Sequence, residues 1–426
     1  MRVLILADEC NPEWPSLPMV GYKAARAIAE HVEVVVATHI RNRESIEKVG
    51  FGRASVRYID NEYVARPAFK FAKWLRRGTE AAWTAAIALK YPSCVAFEWE
   101  VWKVTRDELR KGKFDLVHRL TPMSPTLPSP MAMWSPVPFV LGPLNGGLKW
   151  PSAFREERAR EREWLSYVRS VYRLLPYHSS TYRRSAAVLA AFKHTIDDLP
   201  KHLQTKVLEF PEVGVDPEVF DQIVERPAHK RKTILFAGRF VPYKLPQLLV
   251  RAFAEHSALQ RHRLVMVGDG PERSAIERLI HNTGLENQVE LLGWKSQTEI
   301  AALMREADIF AFPSIRELGA GVVLEAMACG LACVVVDYGG PGTLIDKDRG
   351  IKVALGNADQ LTQRFGQTLG RLVDDDDTIA RLGAAAHKYA MQFYTWDAKA
   401  RKMVAVYEWV LGRGPRPNFW TAPEPR

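Results

Sequence analysis

Four cysteines among 426 residues are too few for a disulfide framework. Cys329 and Cys333 stand C-x3-C in apolar sequence with no histidine cluster nearby, so they read as buried thiols rather than a zinc or redox pair. No proline-free apolar run is long enough to cross a bilayer. The longest uncharged stretch, Leu120 to Leu148, holds prolines at 122, 125, 128, 130, 136, 138 and 143. Each interior helical proline costs roughly 3 kcal/mol, so turns and short strands are expected there. The start offers five apolar residues before Asp8-Glu9, fewer than the apolar core of a secretion signal needs. The expectation is a cytoplasmic chain without a membrane span. Acid is scarce in two windows. Residues 66–113 hold eleven Lys/Arg against five Asp/Glu, and 151–184 hold eight against four; these surpluses of 6 and 4 account for the whole net charge of +10. A local excess of this kind implies an anionic partner, either a membrane surface or a phosphorylated ligand.

What is present is an alternation. Val3–Ala7, Glu33–Ala37, Ser55–Ile59, Phe114–His118, Pro138–Leu141, Ala186–Ala190 and Val207–Phe210 read as short buried strands. Helical spacing falls over 19–30, 64–90 and 95–112, and a charged helical region covers 151–184. Residues 211–232, with three prolines and many charges, read as a linker. A second alternation follows, with strands at 233–237, 263–267, 289–292, 309–312, 333–336 and 351–353, helices near 246–257, 271–283, 297–306 and 321–329, and two more over 357–390. Strand, helix and strand in succession imply parallel sheets covered on both faces. The fold class is α/β with two doubly wound Rossmann-like domains, expected to face a central cleft lined by strand carboxyl ends. The domains are placed at 1–210 and 233–394, with the linker at 211–232, a terminal amphipathic helix at 395–412 and a Pro-rich, frayed tail at 413–426.

Three loops carry candidate chemistry. Ser314-Ile-Arg-Glu317-Leu318-Gly319-Ala320-Gly321-Val322-Val-Leu-Glu325 joins an apolar strand to a helix start, where unpaired N–H groups and the helix dipole make an anion site. Carboxylates there would repel phosphate but accept hydrogen bonds from a ribose diol or a sugar. Equally, they are acids favoured at a helix start by the dipole. Gly238-Arg239 with Lys244 follows a strand directly. Arg as a fork and Lys as a point charge suit a diphosphate; the plain alternative is two solvated cations. Val267-Gly268-Asp269-Gly270-Pro271 is first a turn signal and not a G-x-G-x-x-G loop, since residue 273 is Arg. Gly339-Gly340-Pro341-Gly342 reads as a flexible turn.

In this order and spacing, over about 233–353, these segments resemble glycosyltransferase family 4, the retaining enzymes that use nucleotide sugars on a GT-B fold. Weaker similarities lie at the loop before Gly21, at Asp115–His118, at Gly142–Gly147, at Gly214-Val215-Asp216 and at the helix around Trp396. The resemblance implies a hexose transferred from a nucleoside diphosphate sugar to a saccharide or lipid-linked acceptor, in cell-surface polysaccharide or glycolipid assembly. It implies Arg239 and Lys244 on the diphosphate, Glu325 on the ribose, Glu317 on the donor sugar, and the 318–322 amides on phosphate or sugar. It further implies the segment around Trp294 on the base, Gly21 and Gly238 as close-approach positions, and Asn145, Gly146 and Gly147 on the acceptor side. His118 would reach the transferred sugar; by its residue type alone it is a hydrogen-bonded structural histidine at a strand end. The terminal helix is expected to pack back toward the first domain. The chain departs from the family pattern where Glu-Gly-Phe-Gly becomes Glu317-Leu-Gly-Ala-Gly and where the first loop has Val20-Gly21 in place of paired glycines. No cofactor and no metal are expected, since no Asp-x-Asp stands at a strand end and two cations already face the diphosphate.

Within 66–113, Phe69-Lys70-Phe71-Ala-Lys73-Trp74-Leu-Arg76-Arg77 interleaves cations with aromatics, followed by Trp83, Trp99 and Trp102. This suits peripheral contact with the anionic inner face of a cell membrane; the alternative is a helix that buries its aromatics in the first domain. Nucleic acid is not an expected partner, because it leaves the loops of the second half unexplained. Two further readings stay open: transfer to a small soluble acceptor, and a non-catalytic nucleotide-sugar-binding protein.

Overall fold

The computed structural model describes residues 1–76, 83–160, 171–221 and 231–419. The apolar runs all enter parallel sheets. β1 (Arg2–Ala7), β2 (Glu33–His39), β3 (Ser55–Ile59), β4 (Leu116–Thr121), β5 (Phe139–Leu144), β6 (Ala187–Ala190) and β7 (Val207–Glu209) form one sheet in the order β3-β2-β1-β4-β5-β6-β7. β8 (Thr233–Ala237), β9 (Arg263–Val267), β10 (Val289–Gly293), β11 (Ile309–Phe312), β12 (Ala332–Val336) and β13 (Gly350–Val353) form the other, ordered β10-β9-β8-β11-β12-β13. Parallel neighbours cannot be joined by a hairpin, so each connection crosses over, mostly through a helix laid on one face. In both sheets the order reverses once, between β1 and β4 and between β8 and β11. Open α/β sheets bind ligands at the carboxyl ends beside such a reversal.

The chain divides into two units. One comprises Met1–Gly147, Arg162–Glu212 and Trp396–Arg426; the other comprises Leu148–Glu161 and Val213–Thr395. The first unit therefore runs past 210 to Glu212 and takes in the terminal helix, while 148–161 counts with the second. Of the expected linker, Val213–Asp221 is built into the second unit: Val215 bridges to Thr395, and Phe220 is buried after a helical turn, Pro217–Phe220. Residues 222–230 lie outside the described part.

β1 shows how the first core is made. Val3, Ile5 and Ala7 face one layer and Leu4 and Leu6 the other, as the two-residue period of a strand requires. The first layer packs the helix Leu17–Ala29 through Ala25 and Ile28, and the terminal helix Trp396–Val410 through Met403, Val406 and Tyr407. The second takes Phe97 and Val101 from the long helix Trp83–Arg110. Each fully buried side chain of this size contributes roughly 1.5–3 kcal/mol. The described part of the tail, 413–419, packs on the first unit. Phe419 is buried against Phe210 (5.6 Å between ring centroids), and Arg416 donates to the Val207 carbonyl at 2.8 Å. Gly339–Gly342, read as a flexible turn, lies instead in a short helix, Gly339–Leu344, with the Gly340 N–H donating to the Glu317 carbonyl at 2.9 Å.

Candidate functional site

In the second unit the reversal point lies between β8 and β11, and the loops that leave these two strands carry Arg239, Lys244 and Glu317. After β8 the chain passes exposed Arg239 and makes a single helical turn, Pro242–Lys244, ended by Leu245 at φ 46°. After β11, Ile315 N–H donates to the Tyr243 carbonyl at 2.9 Å, tying the two loops together. Lys244 is thereby buried, its Nζ 2.5 Å from Glu317 Oε2 and 4.9 Å from the centre of the Phe312 ring. Gly339 holds the far side of the loop. Its φ is +61°, and a Cβ there would stand 2.6 Å from the Glu317 carbonyl oxygen, so only glycine fits without moving the carboxylate's backbone.

The loop 318–322 is half-buried apart from buried Ala320, which adopts the left-handed conformation (φ 50°) and starts the helix Gly321–Ala328. The first N–H groups of such a helix lack intrahelical acceptors and favour an anion. Glu325 lies on that helix one turn in, with Gln297 Nε2 donating to its Oε1 at 3.3 Å. Trp294, immediately after β10, is 76% exposed. Gly238 closes β8 beside Lys244. The second unit thus gathers two cations, two carboxylates and a helix start around one reversal point.

The first unit treats its candidates differently. His118 is fully buried, with Tyr407 Oη at 2.6 Å from Nδ1 and the Gly142 carbonyl at 2.6 Å from Nε2. A carbonyl only accepts, so Nε2 carries the proton and Nδ1 accepts from the Tyr407 hydroxyl. Burial holds the imidazole's pKa down to about 4, and it stays neutral. The sugar contact implied for His118 meets no open ring nitrogen here: both are engaged, and the residue locks the terminal helix onto β4. Gly21 is a close-approach position within its own unit. It is buried, and a Cβ there would stand 2.4 Å from the Glu9 carbonyl oxygen, so it is needed to pack its helix against the loop after β1. Asn145 donates from Nδ2 to Glu212 Oε1. Gly146 exchanges hydrogen bonds with Thr195, the Thr195 hydroxyl donating to its carbonyl at 2.9 Å. Gly147 (φ +78°) lies against the helix Lys193–Asp198.

At the first sheet's own reversal point stand residues that sequence reasoning passed over. Asp8 and Glu9 follow β1. Glu9 pairs with Lys90 at 2.5 Å, and its backbone N–H and carbonyl both bond the Thr121 hydroxyl at the end of β4. Burial, then the neighbouring Glu9, raises the Asp8 carboxyl to about 7, so near neutral pH it can either donate to or accept from a hydroxyl. Their place at the end of the first strand was the available signal. Of the basic segment, the side chains of 71–89, including Phe71, Lys73, Trp74, Arg76, Arg77 and Trp83, lie outside the described residues; Phe69 is 60% exposed. Among the described residues no helix is long and apolar enough to cross a membrane, and no three His, Cys, Asp or Glu side chains are grouped to hold a metal ion.

Known proteins resemble the chain at two levels. Structures of the GT-B glycosyltransferase type share its fold over nearly its full length. HepE from Anabaena, solved with UDP, aligns with TM-score 0.63 at 16% identity, covering 95% of this chain and 98% of that one. Sucrose-phosphate synthase from Thermosynechococcus elongatus aligns with TM-score 0.65 at 16% identity over 96% and 99%. WaaG, a glycosyltransferase involved in lipopolysaccharide biosynthesis, gives 0.56 at 17% over 96% and 100%. In sequence, residues 220–388 match the family described as Glycosyl transferases group 1. The D-inositol 3-phosphate glycosyltransferase of Salinispora tropica is 33% identical over 184 residues, 41% of this chain and 37% of that protein. Its counterpart in Stackebrandtia nassauensis is 34% identical over 217 residues, 46% and 47% respectively. The chain thus spans less than half the length of these relatives. The structural matches show the fold, two Rossmann-like units, and the family match is confined to residues 220–388.

Proposed function

We propose that the chain is a retaining glycosyltransferase of family 4, which moves a hexose from a nucleoside diphosphate sugar to a saccharide or lipid-linked acceptor in cell-surface polysaccharide or glycolipid assembly. The observation that carries this reading is the constellation at the second unit's reversal point: Lys244 against Glu317, exposed Arg239 on the same loop as Lys244, and Glu325 on the helix that begins beside them. Arg239 and Lys244 hold the diphosphate and stabilise the charge that develops as the bond from sugar to phosphate breaks. Glu317 takes hydroxyls of the sugar and Glu325 those of the ribose, and Trp294 lies along the base. The acceptor hydroxyl bonds to the anomeric carbon on the face the diphosphate leaves, and its proton passes to the departing phosphate oxygen. With two cations at the diphosphate no metal or cofactor is required, and acceptor recognition falls to the first unit. The protein works in the cytoplasm at the membrane's inner face.

The test is calorimetry against UDP-, GDP- and ADP-linked hexoses, with product analysis of the anomeric configuration. Binding of one nucleotide sugar, weakened in Arg239→Ala and Lys244→Ala and unaffected by EDTA, supports the reading. No binding across the panel, or an inverted product, overturns it.

A further inference from the structure

We propose that an aromatic patch with a basic end, built from the long helix Trp83–Arg110 and its neighbours in the first unit, is the surface by which the protein docks on an anionic bilayer. Trp134 is its centre. Its ring packs edge-on against Trp99 (5.5 Å between centroids) and Tyr177 (5.9 Å) and lies tilted over Trp102 (6.4 Å). Around it large apolar side chains remain in solvent: Trp99 is 45% exposed, Met133 46%, and Leu174, three residues before Tyr177, 84%. Scattered exposed apolar residues are ordinary, but rings brought together from three segments, Trp99 and Trp102, Trp134, and Tyr177, mark an interaction surface. Four tryptophan and tyrosine rings in one group also suit the depth of lipid headgroups, where an apolar body and a polar edge are both satisfied.

Charge selects the occupant. Trp99, Trp102, Arg106 and Arg110 follow one another at helical spacing along a single face, and the Arg110 guanidinium lies 5.7 Å from the Trp102 ring centre. Lys111 and Lys113 continue the basic end in exposed positions. The acids nearby are each matched: Glu100 pairs with Lys103, Glu108 with Arg57, and Asp107 lies beside Arg106. Among the described residues Arg110, Lys111 and Lys113 form no ion pair, so their charge is available to an anionic surface, Arg110 standing roughly 17 Å from Trp99 along the helix. Aromatic wedge and cationic rim together fit a lipid headgroup layer. This places the contact on residues 99–113, 133 and 174. It narrows the acceptor to a lipid-linked one, a conclusion that rests on the proposed transferase; the surface itself does not.

The experiment is co-sedimentation of the full chain with phosphatidylcholine vesicles, with and without phosphatidylglycerol, read alongside tryptophan emission. Wild type should bind the anionic vesicles at low salt with a blue-shifted emission, and release as salt screens the attraction. Met133→Ser with Leu174→Ser, both on the surface and away from the core, should lower partitioning at least tenfold; Trp99→Ser should add to the loss. Arg110→Gln, Lys111→Gln and Lys113→Gln together should erase the preference for anionic over neutral vesicles. Wild type that ignores anionic vesicles at low salt overturns the proposal, as do apolar variants that partition normally. A dimer that Met133→Ser dissolves would give the patch to a second copy of the chain and overturn it too. Calorimetry with nucleotide sugars on the same preparations separates the two readings: protein that binds a donor but no vesicle loses only the surface, and protein that binds vesicles but no donor loses only the transferase.

Discussion

Lys244 and Glu317 stand 73 positions apart in sequence, and their charged atoms meet because Ile315 is hydrogen-bonded to Tyr243. Both are partly withdrawn from water, so removing one leaves the other without its partner in a poorly solvated place. For the proposed donor site, Lys244→Ala and Glu325→Ala should each weaken UDP-sugar binding by about 1.5–3 kcal/mol, the scale of a hydrogen bond to a charged group. Unchanged affinity by calorimetry, with circular dichroism intact, would return Lys244 to a plain loop cation and Glu325 to an ordinary helix-start acid. His118 should behave in the opposite way. His118→Ala removes a fully buried ring and strands the Tyr407 hydroxyl and the Gly142 carbonyl. A loss of about 2–4 kcal/mol in urea unfolding is expected, with donor affinity unchanged. A stable variant with impaired turnover would restore His118 to the reaction.

The terminal helix explains why His118 was not legible. The strand before it and the strand-end position can be read from residues 114–118, but its partner Tyr407 is 289 positions away, and no local period announces that pairing. What could be read were elements whose signal is local: every strand expected in both halves is found, because a strand buried on both faces must be apolar at successive positions. The Gly339–Leu344 helix was missed because three glycines and a proline signal a turn, and a tertiary bond to the Glu317 carbonyl overrides that signal. The same terminal helix carries a titration that the sequence hides. Lys399 is buried, donates to the Pro211 carbonyl and lies 4.3 Å from the centre of the Phe210 ring. Burial, then Lys402, lowers its pKa from 10.5 to about 7, with Glu212 opposing. Between pH 7 and 10.5 the unfolded chain therefore binds more protons than the folded one, and stability rises with pH across that window. Below pH 7 the cost of charging a buried amine is fully present. Lys399→Met should raise the melting temperature at pH 7 and flatten the wild-type rise toward pH 10. Parallel pH profiles for the two proteins would show that Lys399 reaches water.

At the scale of the whole molecule, the first unit is discontinuous. Its sheet is complete by Glu209, yet Trp396–Arg426 belongs to it. The spacing of residues over 395–412 gives an amphipathic helix but no address; only the resemblance to family 4 pointed it back to the first domain. The packing of Met403, Val406 and Tyr407 on the layer that holds Val3, Ile5 and Ile28 supplies the physical reason. Ending the chain at Thr395 would uncover that layer and leave His118 without its hydroxyl donor. The second unit would keep its whole sheet, the Val215 to Thr395 bridge and the Lys244–Glu317 pair. Scanning calorimetry of the truncated chain should therefore show the first unit's transition lowered or lost. A transition raised by UDP should persist, since a ligand at a hundred times its dissociation constant adds about 2.7 kcal/mol to the unit that binds it. The UDP-dependent shift should be the same in EDTA, as two cations rather than a metal hold the diphosphate in the proposed site. A truncated chain that melts like the full one would mean that the terminal helix contributes little to the first unit. One that loses the UDP-responsive transition instead would move the nucleotide site away from the β8 and β11 loops.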